Sequence, residues 1–193
     1  MGVKHFFQWY KTNFKQTIST LNDNENFETY NIEVDNLMID MNGLFHNSAQ
    51  KVFKYGNYKV KRLIKLKPAI VNYKKKQQDI YESICENIEK EIDIVNPKKR
   101  IILCVDGPAP ISKQNQQRQR RFRTALEAPE EQLFDSNCIT PGTKFMDYLT
   151  KYIDWYIKSK LQTDPKWQKL EVIFSNEKAV GEGEHKIINY IRK

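Results

Sequence analysis

Four acidic side chains and one run of basic residues are the parts of this chain best suited to chemistry. Asp40 follows the apolar run Leu37–Ile39, and Asp106 follows Arg100–Val105. Glu182 and Glu184 come shortly after a third such run, Leu170–Phe174. Carboxylates gathered in one place repel one another, and a hard divalent cation relieves that repulsion. Oxygen-only ligands suit Mg²⁺ or Mn²⁺ rather than zinc. Glu182 and Glu184 stand two apart, a spacing that puts both on one side of an extended segment. Gly181 and Gly183 would let the backbone come close to a metal or substrate. Any one of these acids taken alone reads better as a surface acid at a loop or helix start. Their recurrence at three strand ends points to a metal site.

The second half of the chemistry is Val105–Arg123, VDGPAPISKQNQQRQRRFR. After Asp106 and two prolines it becomes strongly basic, and no acid interrupts it before Glu127. With Ser112 as a helix cap, Lys113, Gln117, Arg120 and Arg121 fall at i, i+4, i+7 and i+8, a single face. One ammonium, one amide and two guanidiniums on that face could surround a terminal phosphate. A solvated basic helix is the plainer reading. The charge begins only a few residues after a candidate metal ligand, which favours the phosphate pocket.

The elements that must hold these groups follow from periodicity. The three apolar runs are short and continuous, as in buried parallel strands. Val3–Phe14 carries an apolar stripe expected to dock on the core, and Thr20–Asn31 reads as loop. A helix begins near Gly43. Over Gln77–Val95, Ile80, Ile84, Ile88 and Ile92 recur every four residues, and Asn96–Pro97 stops the helix. Thr140–Pro141 reads as an N-cap followed by a first-turn proline. The helix after it places Phe145, Leu149, Tyr152 and Tyr156 on one buried face. A last helix over His185–Arg192 presents Ile187, Ile188 and Ile191. The expected fold is α/β, a mostly parallel sheet with helices on both faces. In such sheets ligands sit outside the carboxyl ends of the strands, where the four acids would meet.

The 193 residues suit one domain, 1–193, with a core of ordinary size. A net charge of +8 favours an anionic partner, nucleic acid first. Lysine-rich residues 51–76 read as a solvated segment adding attraction to RNA, and Pro68 argues against one long helix there. The three cysteines match no zinc or redox spacing and read as small buried apolar residues. No apolar run is long enough to span a membrane. The N-terminus lacks a signal-peptide core, and Phe6 stands where myristoylation needs Ser or Thr. An intracellular protein is expected, nuclear or cytoplasmic, with no membrane partner.

Five blocks in order resemble the Xrn-type 5′→3′ exoribonucleases: MGV–FF–W at the start, IDMNGLFHN at 39–47, VDGPAP–K–NQQRQRRFR at 105–123, FDSNCITPGTKFM at 134–146 and GEGEHKI–YIR at 181–192. The resemblance implies a PIN/FEN-like nuclease fold. It implies an Mg²⁺-dependent enzyme removing mononucleotides from RNA with a 5′-monophosphate end. By motif, Asp40, Asp106, Glu182 and Glu184 would be catalytic metal-site carboxylates. Lys113, Gln117, Arg120 and Arg121 would form the 5′-phosphate pocket, His46 would stack on the terminal base, and Asn42 would help orient the site. His185 and Lys186 receive no role.

Lys4 replaces the family's usual proline, and residues 51–76 read unlike their counterpart. The family's further metal-site aspartates fall beyond Lys193, so the expected domain is incomplete at its C-terminus: a fragment, a split gene or a decayed copy. A second polypeptide supplying the missing half is then among the implied partners. Two functions stay open, an exoribonuclease and an RNA 5′-phosphate-binding module that is catalytically incomplete alone. A flap-type DNA nuclease is a third, and QQRQRRFR with FDSNCITPGT argues against it.

Overall fold

The sheet is built on one strand that is buried along all but its first residue. In the computed structural model, which describes residues 5–21, 25–58, 72–127 and 133–192, β2 (Arg100–Cys104) lies between β1 (Asn36–Asp40) and β3 (Glu171–Ser175), parallel to both. Asp40, Cys104 and Ser175 stand level at the carboxyl edge. The three expected strands are therefore present, with bounds shifted by a residue or two. Strand alternation sorts the side chains of β2. Ile101 and Leu103 join Leu37, Ile39, Val172 and Phe174 in the main core, while the equally buried Ile102 and Cys104 project the other way.

The main core is closed by α2 (Asn42–Phe53), α3 (Tyr73–Val95) and α5 (Lys144–Thr163). The four-residue repeat Ile80, Ile84, Ile88 and Ile92 is fully buried on α3, as the period requires. Its acidic side is used too. Glu89 accepts from Tyr156, from Trp167 Nε1 at 3.4 Å, and pairs with Lys160 at 2.9 Å. On α5, Leu149 is fully buried, and Phe145, Tyr152 and Tyr156 pack against the core rather than standing free as stacking platforms. On the second face of the sheet, α6 (Gly183–Ile191) packs against β1 and β2. Helices thus cover both faces. Cys85 and Cys104 are buried and Cys138 half-buried, all as free thiols; burial pushes Cys85 and Cys138 up to about 12.

Several boundaries differ from the sequence reading. Helix α3 starts four residues before Gln77, because the Asn72 side chain accepts from Lys75 N at 3.2 Å and caps it. Thr140 is not the cap of α5. Thr143 is, accepting from Met146 N at 3.3 Å while its hydroxyl donates to Thr140 O at 2.9 Å. Residues Phe27–Tyr30 form a 3₁₀ turn within the expected loop. The stripe on α1 (Phe6–Asn13) does not dock on the core. None of its residues is buried; Phe6, Trp9, Tyr10 and Phe14 pack on one another instead. Pro68 and most of the lysine-rich segment lie outside the described residues.

Leu103 is fully enclosed between the sheet and its helices. Leu103→Ala should lower stability by about 2–5 kcal/mol in denaturant unfolding. A loss under about 1 kcal/mol would contradict its place in the core.

Candidate metal and phosphate site

All four carboxylates sit at or just beyond the carboxyl edge of the sheet. Asp40 is the last residue of β1, and Asp106 stands two residues past β2. Glu182 and Glu184 do not lie in an extended segment. Glu182 is the N-cap residue of α6 and Glu184 is in its first turn. The turn after β3 runs straight into the helix, so the acids meet its positive end, where negative charge is favoured.

Asp106 is the best held of the four. Asn42, at the start of α2, donates through Nδ2 to Asp106 Oδ2 at 2.6 Å. In return the Asp106 backbone N–H donates to Asn42 Oδ1 at 3.1 Å. The other Asp106 oxygen, Oδ1, accepts from the backbone N–H of Gly183 at 2.7 Å. Asn42 also reaches the neighbouring acid, its N–H donating to Asp40 Oδ1 at 3.3 Å. One asparagine therefore ties β1's aspartate to β2's.

Gly183 is where Asp40 meets α6. A Cβ there would lie 2.6 Å from Asp40 Oδ1, so only glycine lets the carboxylate rest against the helix start. Gly181 serves differently from the expected close approach: it holds φ at +108° in the turn before α6. The Asp40 carboxyl is raised above its ordinary range, first by burial and then by the charges of Asp106, Glu184 and Glu182, although its hydrogen bond from Asn42 opposes this. The other three acids thus all act on Asp40.

Among the described residues, the donor atoms that all lie within 4.8 Å of one another belong to Glu182, Glu184 and His185. Asp40 and Asp106 stand beside that trio rather than inside it. The oxygen-rich set fits a hard divalent cation, and His185 is an exposed nitrogen donor at its margin that sequence reasoning left without a role.

The basic helix is α4 (Ile111–Glu127), and none of its residues is buried. It starts one residue before Ser112, so Ser112 lies in its first turn and is not its cap. Lys113, Gln117 and Arg121 form its half-buried side, and Arg120 is exposed on the flank. The Lys113 ammonium meets Glu182 Oε2 at 3.1 Å, a largely shielded ion pair joining the basic helix to the acidic edge. Gln117 and Arg121 line a cavity of about 870 Å³ beside α4. His46, on α2, is half-buried, and burial followed by the charge of Arg120 lowers its pKa. His46 and Arg120 are therefore electrical neighbours across two elements.

Sequence reasoning missed the residue that holds this edge together. Lys186 on α6 is 5% exposed, and its ammonium donates to Val105 O at 2.7 Å and to Asn176 O at 2.8 Å. It stitches the ends of β2 and β3 beneath the acids. Burial lowers its pKa, and the nearby Cys104, Asp106 and Glu177 oppose that. A lysine one position before Ile187 carries no sequence signal for this role.

Comparison with known proteins adds to the geometry. Residues 1–193 match the family described as XRN 5′-3′ exonuclease N-terminus. The chain belongs to that family. It is 39% identical over 206 residues to the 5′-3′ exoribonuclease 1 of Schizosaccharomyces pombe, spanning 100% of this chain and 14% of that protein. It is 35% identical over 235 residues to the 5′-3′ exoribonuclease 2 of Gallus gallus, spanning 100% of this chain and 23% of that protein. The chain therefore covers less than a quarter of the length of either relative. Every residue of the XRN-family chain described above lies within the matched span. Among the described residues, no helix is long and apolar enough to cross a membrane.

Lys186→Met removes both donated bonds and leaves two carbonyls beneath the acids without a donor. About 1–3 kcal/mol of stability should be lost for each, read by thermal or denaturant unfolding. Unchanged stability would contradict the structural role of the ammonium.

Proposed function

We propose that residues 1–193 form the N-terminal part of a metal-dependent 5′→3′ exoribonuclease domain. It would act on RNA with a 5′-monophosphate end and release mononucleotides. The observation that carries this reading is the Lys113–Glu182 contact, which joins a phosphate-suited helix to a metal-suited acidic edge. The family match and the relatives named as exoribonucleases support it.

In this reading Asp40, Asp106, Glu182 and Glu184 hold Mg²⁺ or Mn²⁺. When bound, the cation activates a water and stabilises the charge developing at the scissile phosphate. Asn42 and the Gly183 N–H fix the Asp106 carboxylate, so its orientation is set before substrate arrives. Lys113, Gln117, Arg120 and Arg121 hold the 5′-phosphate, with the guanidiniums suited to paired hydrogen bonds to its oxygens. His46, whose pKa is lowered by burial and by the charge of Arg120, offers its ring for the terminal base. An intracellular site, nuclear or cytoplasmic, accords with an RNA substrate.

The same contact also supports a second reading. A carboxylate already neutralised by an ammonium has less need of a cation, as in a module that binds RNA 5′-phosphate ends without cutting them, or cuts only with a second polypeptide.

The test is incubation with Mg²⁺ and 3′-labelled RNA bearing a 5′-monophosphate or a 5′-hydroxyl. Stepwise loss from the monophosphate end is expected. Selective binding without cleavage would favour the second reading, and neither cleavage nor selectivity would reject both. Asp106→Ala should abolish cleavage while leaving RNA binding within a few-fold; persistent cleavage would remove Asp106 from the metal site. Joint replacement Arg120→Ala and Arg121→Ala should erase at least about tenfold of the preference for monophosphate, equivalent to about 1.4 kcal/mol. A preference that survives would place the 5′-phosphate elsewhere.

A further inference from the structure

The cavity beside α4 extends well past the face used above. It is a half-open cleft of about 870 Å³, a size usual for small-molecule sites. Its wall combines Arg118 of α4, Thr143, Lys144 and Tyr148 at the start of α5, and Glu177 in the turn after β3; Arg121 stands on the same wall.

Three features ask for a ligand of mixed character. Glu177 is 5% exposed, and its Oε2 has no hydrogen-bond partner. A buried carboxylate oxygen without a donor is costly, and a ligand hydroxyl or amine would supply the donor. Positive groups are ready for an anion. Arg118 and Lys144 form no ion pair among the described residues, whereas Lys178 and Asp147 on the same wall are paired at 3.3 Å. The N-terminus of the 20-residue α5 adds backbone N–H groups that lack partners within the helix. Finally, Tyr148 leaves 58% of its surface exposed on the cavity wall, a free aromatic face.

We propose that this cavity binds a nucleoside 5′-monophosphate. The phosphate sits at Arg118, Lys144 and the start of α5, the base lies against Tyr148, and a sugar hydroxyl or base amine donates to Glu177. Bare inorganic phosphate fits less well, because it leaves Tyr148 uncovered and brings no sugar hydroxyl or base amine to Glu177. The inference rests on the proposed nuclease reading only for the source of the mononucleotide, which would be that reaction's product. An RNA 5′ end offers the same chemistry and is the other possible source.

The test is calorimetric titration of the chain, in chelator so that no cleavage occurs, with adenosine 5′-monophosphate, adenosine, inorganic phosphate and a 5′-phosphorylated oligoribonucleotide. The monophosphate should bind at least about tenfold tighter than adenosine or phosphate. Tyr148→Ala, at an exposed position, should weaken it about tenfold, the scale of one base–aromatic stack. Glu177→Met should also weaken it without loss of thermal stability, since it removes an unpartnered acceptor. Arg118→Ala should weaken monophosphate binding about tenfold, and saturating oligonucleotide should not displace the ligand fully. Binding no tighter than that of phosphate, or indifference to Tyr148→Ala, would overturn the proposal. So would full displacement by oligonucleotide, which would assign the ligand to the strand-end pocket. Failure of the nuclease reading appears separately, as monophosphate binding without metal-dependent cleavage.

Discussion

Like charges held side by side repel, and at the carboxyl edge of this sheet burial first, and then the charges of Asp106, Glu184 and Glu182, raise the proton affinity of Asp40. The local architecture is arranged around that repulsion. Asp106 is countered by the Gly183 N–H and the Asn42 amide, Glu182 by the Lys113 ammonium, and the strand ends beneath them are joined through Lys186. The counter-groups come from three elements, α2, α4 and α6. Docking of those helices and the geometry of the acids are therefore one problem. The bare glycine at 183 completes the arrangement, because a side chain there would push the Asp40 carboxylate off the helix start.

The parts of the fold legible in the sequence are those set by local periodicity. Ile80, Ile84, Ile88 and Ile92 announce a buried helix face, and three short apolar runs announce three strands, because burial on both faces leaves no room for alternation. The acids after those runs could be located by the general rule that parallel strands end at one edge. Helix starts were less legible. Thr143 and Thr140 are equally good caps by type, and the choice depends on how the chain leaves Cys138 and turns at Gly142. The stripe of α1 was misjudged because apolar spacing tells which side chains share a face, and nothing of what that face meets.

Within the site, residue types marked the charges but not their partners. Glu182 and Glu184 read as an extended pair because the GEGE spacing fits a strand as well as a helix start; the turn from β3 decides it. Lys186 gave no signal, since its role depends on two carbonyls contributed by distant strand ends, 81 and 10 residues away. His46 and Arg120 belong to separate helices, and only the tertiary fold brings the charge of Arg120 within reach of the imidazole. Long-range electrostatics of this kind follows from topology, which composition does not encode.

The central claim is that strand ends from β1 and β2 and the start of α6 share one divalent cation. Calorimetric or paramagnetic titration of Mn²⁺ into the chain and into Asp106→Asn tests it most directly. The account predicts saturable binding to the unaltered chain and at least about tenfold weaker binding to the variant, with unfolding curves that show both chains folded. Equal Mn²⁺ affinity in the two would contradict it, leaving the acids as a helix-start cluster without a shared ion.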